Sequence, residues 1–183
     1  MVYIFLAEGF EEIEFTAPAD ILRRAEIDVK TVGIGGLTIT GAHGIRIMAD
    51  VLDSDMRSDM DFDMIVLPGG MPGAAGLDSS DVVDKFISAA VKQEKLIGAI
   101  CAAPFILGKR NILLGKKAVC YPGFENELKG CEIQSDLVVT DGNIITAKGP
   151  GAAVDFGLEL VRHLRGAECS NKIRESMQCT ALI

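Results

Sequence analysis

Cys101 lies in Leu96-Ile97-Gly98-Ala99-Ile100-Cys101-Ala102-Ala103-Pro104, an apolar run closing on small residues, then a thiol, then a stretch able to begin a helix. This is the sequence form of a nucleophile elbow: a strand ends in a tight turn that lifts one reactive side chain to the mouth of a sheet, just before a helix N-terminus. The positive end of that helix favours thiolate over thiol, and the thiolate is the nucleophile. The spacing therefore predicts a Cys101 that gives up its proton readily. A cysteine that ends an apolar run is also a common core filler, because unpaired cysteine is among the most buried residue types. The two readings separate on whether other reactive groups gather around the sulfur.

Glu14 is the first such group. It closes the run Glu11-Glu12-Ile13-Glu14, and its neighbours Ile13 and Phe15 can draw it inward, whereas Glu11 and Glu12 read as solvated helix charges. A carboxylate beside a thiolate places two anions together, so one proton is shared and the pKa of one group or both rises. A protonated Glu14 can donate to the sulfur and later carry that proton to a bound carbonyl. Pro68-Gly69-Gly70 is the second group. Glycines at 69 and 70 let the chain approach a ligand and aim N–H groups inward, and together with the amide of Ala102 they can form an oxyanion hole, about 2.7 to 4 kcal/mol per donor where measured. A plain turn is the simpler account of the same three residues. Gly70, Gly73 and Gly76 match neither a GxGxxG fingerprint nor a Walker loop, which removes a nucleotide site.

Positioning these groups requires a particular set of elements. Residues 2 to 7, 29 to 34, 63 to 67 and 96 to 100 are short and rich in Val, Ile and Leu, as strands buried on both faces are. They alternate with helical stripes, so the pattern predicts a mostly parallel sheet with helices on both faces. Over 80 to 92, apolar residues recur at three- and four-residue steps behind Ser80 as N-cap, and a second stripe follows Gly149-Pro150-Gly151. Residues 11 to 26 read as a helix that Pro18 kinks or leaves one hydrogen bond short. The stretch 167 to 177 reads as a last helix, packed on its own chain or on a partner. Two hairpins are expected, 37 to 47 turning at His43-Gly44 and 137 to 147 turning at Asp141-Gly142-Asn143. Ligands bind beyond the carboxyl ends of such strands. That rule gathers the 11 to 14 carboxyls, Gly69-Gly70, Cys101, Cys120-Tyr121-Pro122 after an expected strand at 117 to 120, and Lys148-Gly149-Pro150-Gly151 on one rim, the last if 143 to 147 runs parallel.

Composition narrows the class. The 183 residues suit one domain, 1–183, with a well-filled core, and no apolar stretch approaches the roughly 20 residues that span a bilayer. The opening run Val2 to Ala7 lacks a basic flank and meets Glu8, Glu11, Glu12 and Glu14, so it reads as a buried strand rather than a signal peptide. A net charge of −8 without a Lys/Arg cluster opposes nucleic-acid and anionic-membrane binding. The five cysteines are odd in number and free of CxxC pairs, which favours reduced thiols in a cytoplasm. His43 and His163 have no suitably spaced partners, so neither a zinc site nor another metal or cofactor is expected.

Taken in order, the Glu-Glu-Ile-Glu run ending at Glu14, Leu67-Pro68-Gly69-Gly70, Ala99-Ile100-Cys101-Ala102-Ala103-Pro104 and Lys148-Gly149-Pro150-Gly151 resemble the ThiJ/PfpI superfamily over nearly the whole chain. The resemblance is closest to its branch of Parkinson-disease-associated deglycases and glyoxalase III enzymes. It implies a flavodoxin-like α/β sandwich, Cys101 as nucleophile, Glu14 as its protonated partner, Gly70 and Ala102 as amide donors, and a homodimer paired through the first helix. It also implies departures. Family members with protease-like triads carry His directly after the cysteine, where this chain has Ala102, and the deglycase branch often has His where Tyr121 stands here. The family's anion-contacting arginines are replaced by His43 and Lys148, which with Gly69 and Tyr121 complete the expected substrate pocket.

Four functions compete on these residues. The leading one is cofactor-independent conversion of a small reactive carbonyl such as methylglyoxal, or of its adducts, to a hydroxy acid through attack by Cys101. The second uses the same sulfur as a redox sensor, oxidised to sulfenic and sulfinic acid beside Glu14. A chaperone role is compatible with the resemblance, and peptidase or amidase activity ranks last for want of the histidine.

Overall fold

A computed structural model describes residues 1–179. Strands β1 (Val2–Leu6) and β2 (Val29–Gly33) are followed by the short β3 (Thr38–Thr40), β4 (Arg46–Met48) and β5 (Val51–Leu52). Next come β6 (Met64–Leu67), β7 (Leu96–Ile100), β8 (Lys117–Ala118), β9 (Glu132–Ile133), β10 (Val138–Asp141) and β11 (Ile144–Ala147). The helices are α1 (Glu12–Arg24), α2 (Gly73–Asp78), α3 (Asp81–Lys92), α4 (Pro104–Lys109), α5 (Ala153–Arg165) and α6 (Ala167–Ser176). Among the described residues the central sheet has the order β10-β11-β7-β6-β1-β2-β5, parallel throughout except for β10. This is the mostly parallel sheet with helices on both faces that the alternating strands and helices predict, and the flavodoxin-like three-layer sandwich that the family resemblance implies.

Burial on both faces explains the strand sequences. In β1, Val2, Ile4 and Leu6 join a core with α1 and α5 residues such as Ile21, Leu22 and Phe156. Tyr3 and Phe5 point the other way, into a core with Phe62 and Phe86. There the Phe86 ring lies 5.5 Å from Tyr3 and 5.3 Å from Phe5, in tilted and edge-on contacts that add to simple area burial. The period-two alternation thus feeds two cores from one strand. On the first face α5 crosses α1 closely, because Gly157 has no side chain to hold Pro18 and Ile21 away. Pro18 sits inside an unbroken α1 and costs only the bond its missing N–H would make to the Glu14 carbonyl. Ser80 caps α3 by accepting from the Val83 amide at 3.4 Å, and α6 packs on its own chain, with the Ser170 hydroxyl donating to Leu158 at 2.7 Å.

Both expected hairpins form, β3 with β4 and β10 with β11, and β11 runs parallel to β7. The expected strand at 117 to 120 is corrected. It shortens to β8, which leaves the central sheet to pair with β9. The reason is competition for an edge: β10 already occupies the free side of β11, so the Val119 amide turns to the Thr146 hydroxyl at 3.0 Å. No helix among the described residues is long and apolar enough to cross a membrane.

Candidate active site

The parallel register makes the strand ends flush. Leu67 pairs with Ala99 and Ala147 with Ile100, so Gly69, Cys101 and Lys148 leave the sheet together. Chain order reverses between β1 and β6, the switch point where open α/β sheets leave a crevice. One step from that crevice, Cys101 adopts φ +64°, the left-handed region that costs a non-glycine residue about 1 to 2 kcal/mol. Two backbone bonds hold it there. Its amide donates to the Ala147 carbonyl and its carbonyl accepts from the Tyr121 amide, each at 2.8 Å. The elbow expected from sequence is therefore present, and Cys101 is 9% exposed rather than sealed.

Glu14, in the first turn of α1, is fully buried. One carboxyl oxygen, Oε2, accepts from the Gly69 amide at 2.9 Å. The other, Oε1, has no hydrogen-bond partner among the described residues. An orphaned buried oxygen suits a protonated carboxyl better than an anion. Burial accordingly lifts the Glu14 pKa to about 7, against smaller opposing contributions from the Cys101 thiol and the Gly69 amide. The thiol is close enough to feel that carboxyl. Burial first, and then the Glu14 charge, push Cys101 well above the usual thiol range, while the amides of Ala102 and Gly70 facing the sulfur pull it down.

That corrects one expectation. The sequence pattern predicts a thiol acidified by a helix end, but α4 begins only at Pro104 with Ala103 as N-cap and runs six residues. Cys101 lies two residues before that cap, beyond the turn over which a helix end acts. Desolvation governs instead, and the pair holds its proton between them.

Gly69 is wedged between the two partners. A Cβ there would stand 2.6 Å from Glu14 Oε2 and 2.7 Å from the Cys101 Cβ, so no side chain fits. Gly70 takes φ +84°, open to glycine without penalty, and this turn aims its amide at the sulfur.

Glu12 is the residue that sequence reasoning misplaced. It is buried, with Oε1 accepting from the His43 and Ile45 amides at 2.8 and 3.3 Å and Oε2 lying 2.9 Å from His43 Nδ1. These bonds hold its pKa below the usual carboxylate value despite burial. It is a clamp that fastens the β3–β4 turn to α1, not a solvated charge. His43, expected in the pocket, is committed to this clamp. Its ring is exposed, 3.6 Å from Glu11, and its pKa is raised by the Glu12 bond and then by the charges of Glu11 and Glu12. The expectation that His43 lacks ligand-type partners is corrected too, since its ring nitrogen and oxygens of Glu11 and Glu12 lie within 4.8 Å of one another. No spacing within one element announces this contact, because it joins a helix to a hairpin turn 31 residues away.

Tyr121 and Lys148 lie on the opposite flank, where they line a groove with Leu137 and Pro150. Among the described residues the Lys148 ammonium reaches only the Ser135 carbonyl, at 3.5 Å. Cys120 is buried and its thiol is pushed up to about 11 by burial, then by the charges of Glu125 and Cys131; unlike Cys101, it has no carboxyl among its hydrogen-bond partners in the described residues to take its proton.

Comparison with known proteins gives consistent matches. A family model described as DJ-1/PfpI family matches residues 1–163. Protein DJ-1alpha of Drosophila melanogaster is 38% identical over 180 residues, 97% of this chain and 83% of its own. The glutathione-independent glyoxalase DJR-1.2 of Caenorhabditis elegans is 34% identical over 168 residues, covering 91% of this chain and 89% of its own. The solved structure of oxidized Toxoplasma gondii DJ-1 superposes with a TM-score of 0.94 at 32% identity, covering 98% of each chain.

Proposed function

Because the chain belongs to the DJ-1/PfpI family, we propose that it converts small reactive carbonyls, a 2-oxoaldehyde such as methylglyoxal or an adduct of one, into hydroxy acids without a cofactor. The observation that carries this reading is the buried Cys101–Glu14 pair, with Gly69 closing one side and two amides aimed at the sulfur. The C. elegans relative named as a glutathione-independent glyoxalase supports it.

The steps follow from the pair. Above about pH 7 the Glu14 carboxylate takes the thiol proton as sulfur adds to the aldehyde carbon, giving a hemithioacetal whose oxygen forms beside the amides of Gly70 and Ala102. Glu14 then relays protons while the aldehyde hydrogen is transferred to the neighbouring carbon. That rearrangement oxidises the aldehyde carbon to a thioester and reduces the ketone carbon to an alcohol. Water hydrolyses the thioester, frees the sulfur and supplies the second carboxyl oxygen, so methylglyoxal plus water becomes lactate with no external oxidant. An adduct enters the same path when the sulfur displaces its amine or thiol from the carbinol carbon, the thiol proton passing through Glu14 to the leaving group; the resulting hemithioacetal then rearranges and is hydrolysed as before. Purified protein incubated with methylglyoxal alone is expected to release lactate stoichiometrically; methylglyoxal consumption without lactate would refute this reading.

A second reading rests on the same amides and on the protonated Glu14, which together can hydrogen-bond oxygens added to sulfur. Peroxide would then oxidise Cys101 selectively, and the relative solved in an oxidized form is compatible with that. A peptidase reading has no support at Ala102 or Tyr121, where neither residue is a histidine.

The protein works as a homodimer in this proposal, a one-domain enzyme in a reducing cytoplasm. Ile13 and Ile45 are 53% and 54% exposed, and Met48 is 79% exposed. The Glu12 clamp fastens the Ile45 backbone to the first turn of α1, which also carries Ile13, while Met48 and Phe15 line one hollow. Large apolar groups grouped this way mark an interaction face. Light scattering is expected to report a dimer, and Ile13→Asp a monomer; a monomeric wild type would remove the proposal.

A further inference from the structure

The groove beside Cys101 is larger and more apolar than methylglyoxal requires. It encloses about 340 Å³ and is walled by Tyr121, Pro122, Leu137, Pro150 and Ala152, with Lys148 as its one charge. That volume falls within the range of small-molecule sites, about 300 to 1,000 Å³. The methyl group of methylglyoxal would leave most of it empty.

Its placement ties it to the reacting sulfur. Tyr121 is bonded through its amide to the Cys101 carbonyl, and Lys148 directly follows Ala147, whose carbonyl accepts from the Cys101 amide. Backbones paired this way run roughly 5 Å apart, so the groove begins one residue from the elbow on both sides. Gly149 carries no side chain, and a Cβ there would stand 3.0 Å from the Tyr121 ring, so the ring packs closely against the Gly149 backbone at the groove. Tyr121 remains 46% exposed and Leu137 41%, leaving apolar surface uncovered next to the site. The opposite flank offers charged and polar groups instead, because the Glu12 clamp places Glu11, Glu12 and His43 there.

We infer that this groove receives the substituent of the substrate remote from the aldehyde, and that the substituent is an aromatic ring or comparable apolar group. The inference rests on the proposed carbonyl chemistry and names the substrate class within it: aryl-bearing 2-oxoaldehydes, with Tyr121 and Leu137 as specificity residues. The reaction balances as before. Phenylglyoxal plus water gives mandelate, sulfur adding to and leaving the aldehyde carbon while water contributes the acid oxygen. Each apolar group seated in a matching pocket raises discrimination by roughly tenfold or more.

Steady-state rates with phenylglyoxal and methylglyoxal, read as mandelate and lactate, test this on the full chain. The expected kcat/KM is at least about tenfold higher for phenylglyoxal. Gly151→Phe fills the groove from a position where a Cβ meets no atom within 4 Å, and Leu137→Ala removes a wall; both are expected to bring the ratio toward one. Taking the ratio within each variant cancels the difference in intrinsic reactivity between the two aldehydes. If methylglyoxal is converted and the ratio is one or less, or is unmoved by Gly151→Phe and Leu137→Ala, the groove assignment is overturned while the parent chemistry stands. If neither aldehyde is converted, the parent reading fails. Saturation-transfer NMR with mandelate then decides the groove independently: ring-proton contacts that Gly151→Phe abolishes support it, and their absence in the wild type rejects it.

Discussion

Cys101→Ala is expected to yield no lactate from methylglyoxal above the uncatalysed background, a loss of at least about 10³-fold, because no other thiol on the rim can replace it. Cys120, buried beside the elbow, has no hydrogen-bonded carboxyl among the described residues to accept its proton as Glu14 does for Cys101. Such a loss means little if the variant unfolds, and the backbone supplies the control. Cys101 holds φ +64°, where glycine is free of the roughly 1 to 2 kcal/mol that a side chain costs. Cys101→Gly therefore trades a small packing loss for relief of strain, and its stability to urea is expected within about 1 kcal/mol of wild type. Both variants inactive with Cys101→Gly fully folded identifies the sulfur as the chemical agent. Lactate formation surviving in either one would move the chemistry elsewhere.

The second large effect belongs to Glu14. Replacing it by Gln removes the one carboxyl among the described residues that is bonded to the thiol and can take its proton, and kcat/KM is expected to fall by about 10² to 10⁴-fold. The pH dependence distinguishes this role from simple structural support. In the wild type the fully protonated pair is inactive, so activity is expected to rise with pH and level off above about 7, where the carboxyl ionises. In Glu14→Gln that inflection is expected to vanish.

Stability should move in the opposite direction. The folded chain holds the Glu14 proton more tightly than the unfolded chain, about 7 against 4.5. The stabilising contribution is therefore complete below about 4.5 and is lost as pH rises through about 7. At 1.36 kcal/mol per pKa unit the loss is about 3 kcal/mol. Urea unfolding between pH 5 and 9 is expected to show this decline in the wild type and not in Glu14→Gln. A wild type whose activity and stability are flat across pH 7 would mean that the carboxyl is ionised throughout and is not the proton acceptor proposed.

Activity and stability thus conflict at one residue. The pH that arms the pair is the pH at which its buried charge weakens the fold, a cost compatible with a site held by surrounding structure. The clamp at Glu12 shows the contrary solution within the same helix turn. Its oxygens are met by two amides and a histidine, so its charge stays without being a proton carrier.

The elements and the elbow are legible in the residue order because their causes are local. Two-sided burial demands unbroken apolar strands, Ser80 and Pro150 mark helix starts, Asp141-Gly142-Asn143 turns a hairpin, and Ala102-Ala103-Pro104 after an apolar run marks the turn that holds Cys101. The same locality makes Gly69 and Gly70 readable, since a chain passing that near a reactive group has no room for side chains. Tertiary structure decided the rest. Whether residues 117 to 120 join the central sheet depended on β10 taking the edge first, and whether Glu12 or Glu14 carries a proton depended on a hairpin 31 residues away. The ownership of the proton at Cys101 likewise follows from how much water the folded core excludes from sulfur and carboxyl together. Desolvation and partner geometry are sums over groups distant in sequence, so no spacing of residues encodes them.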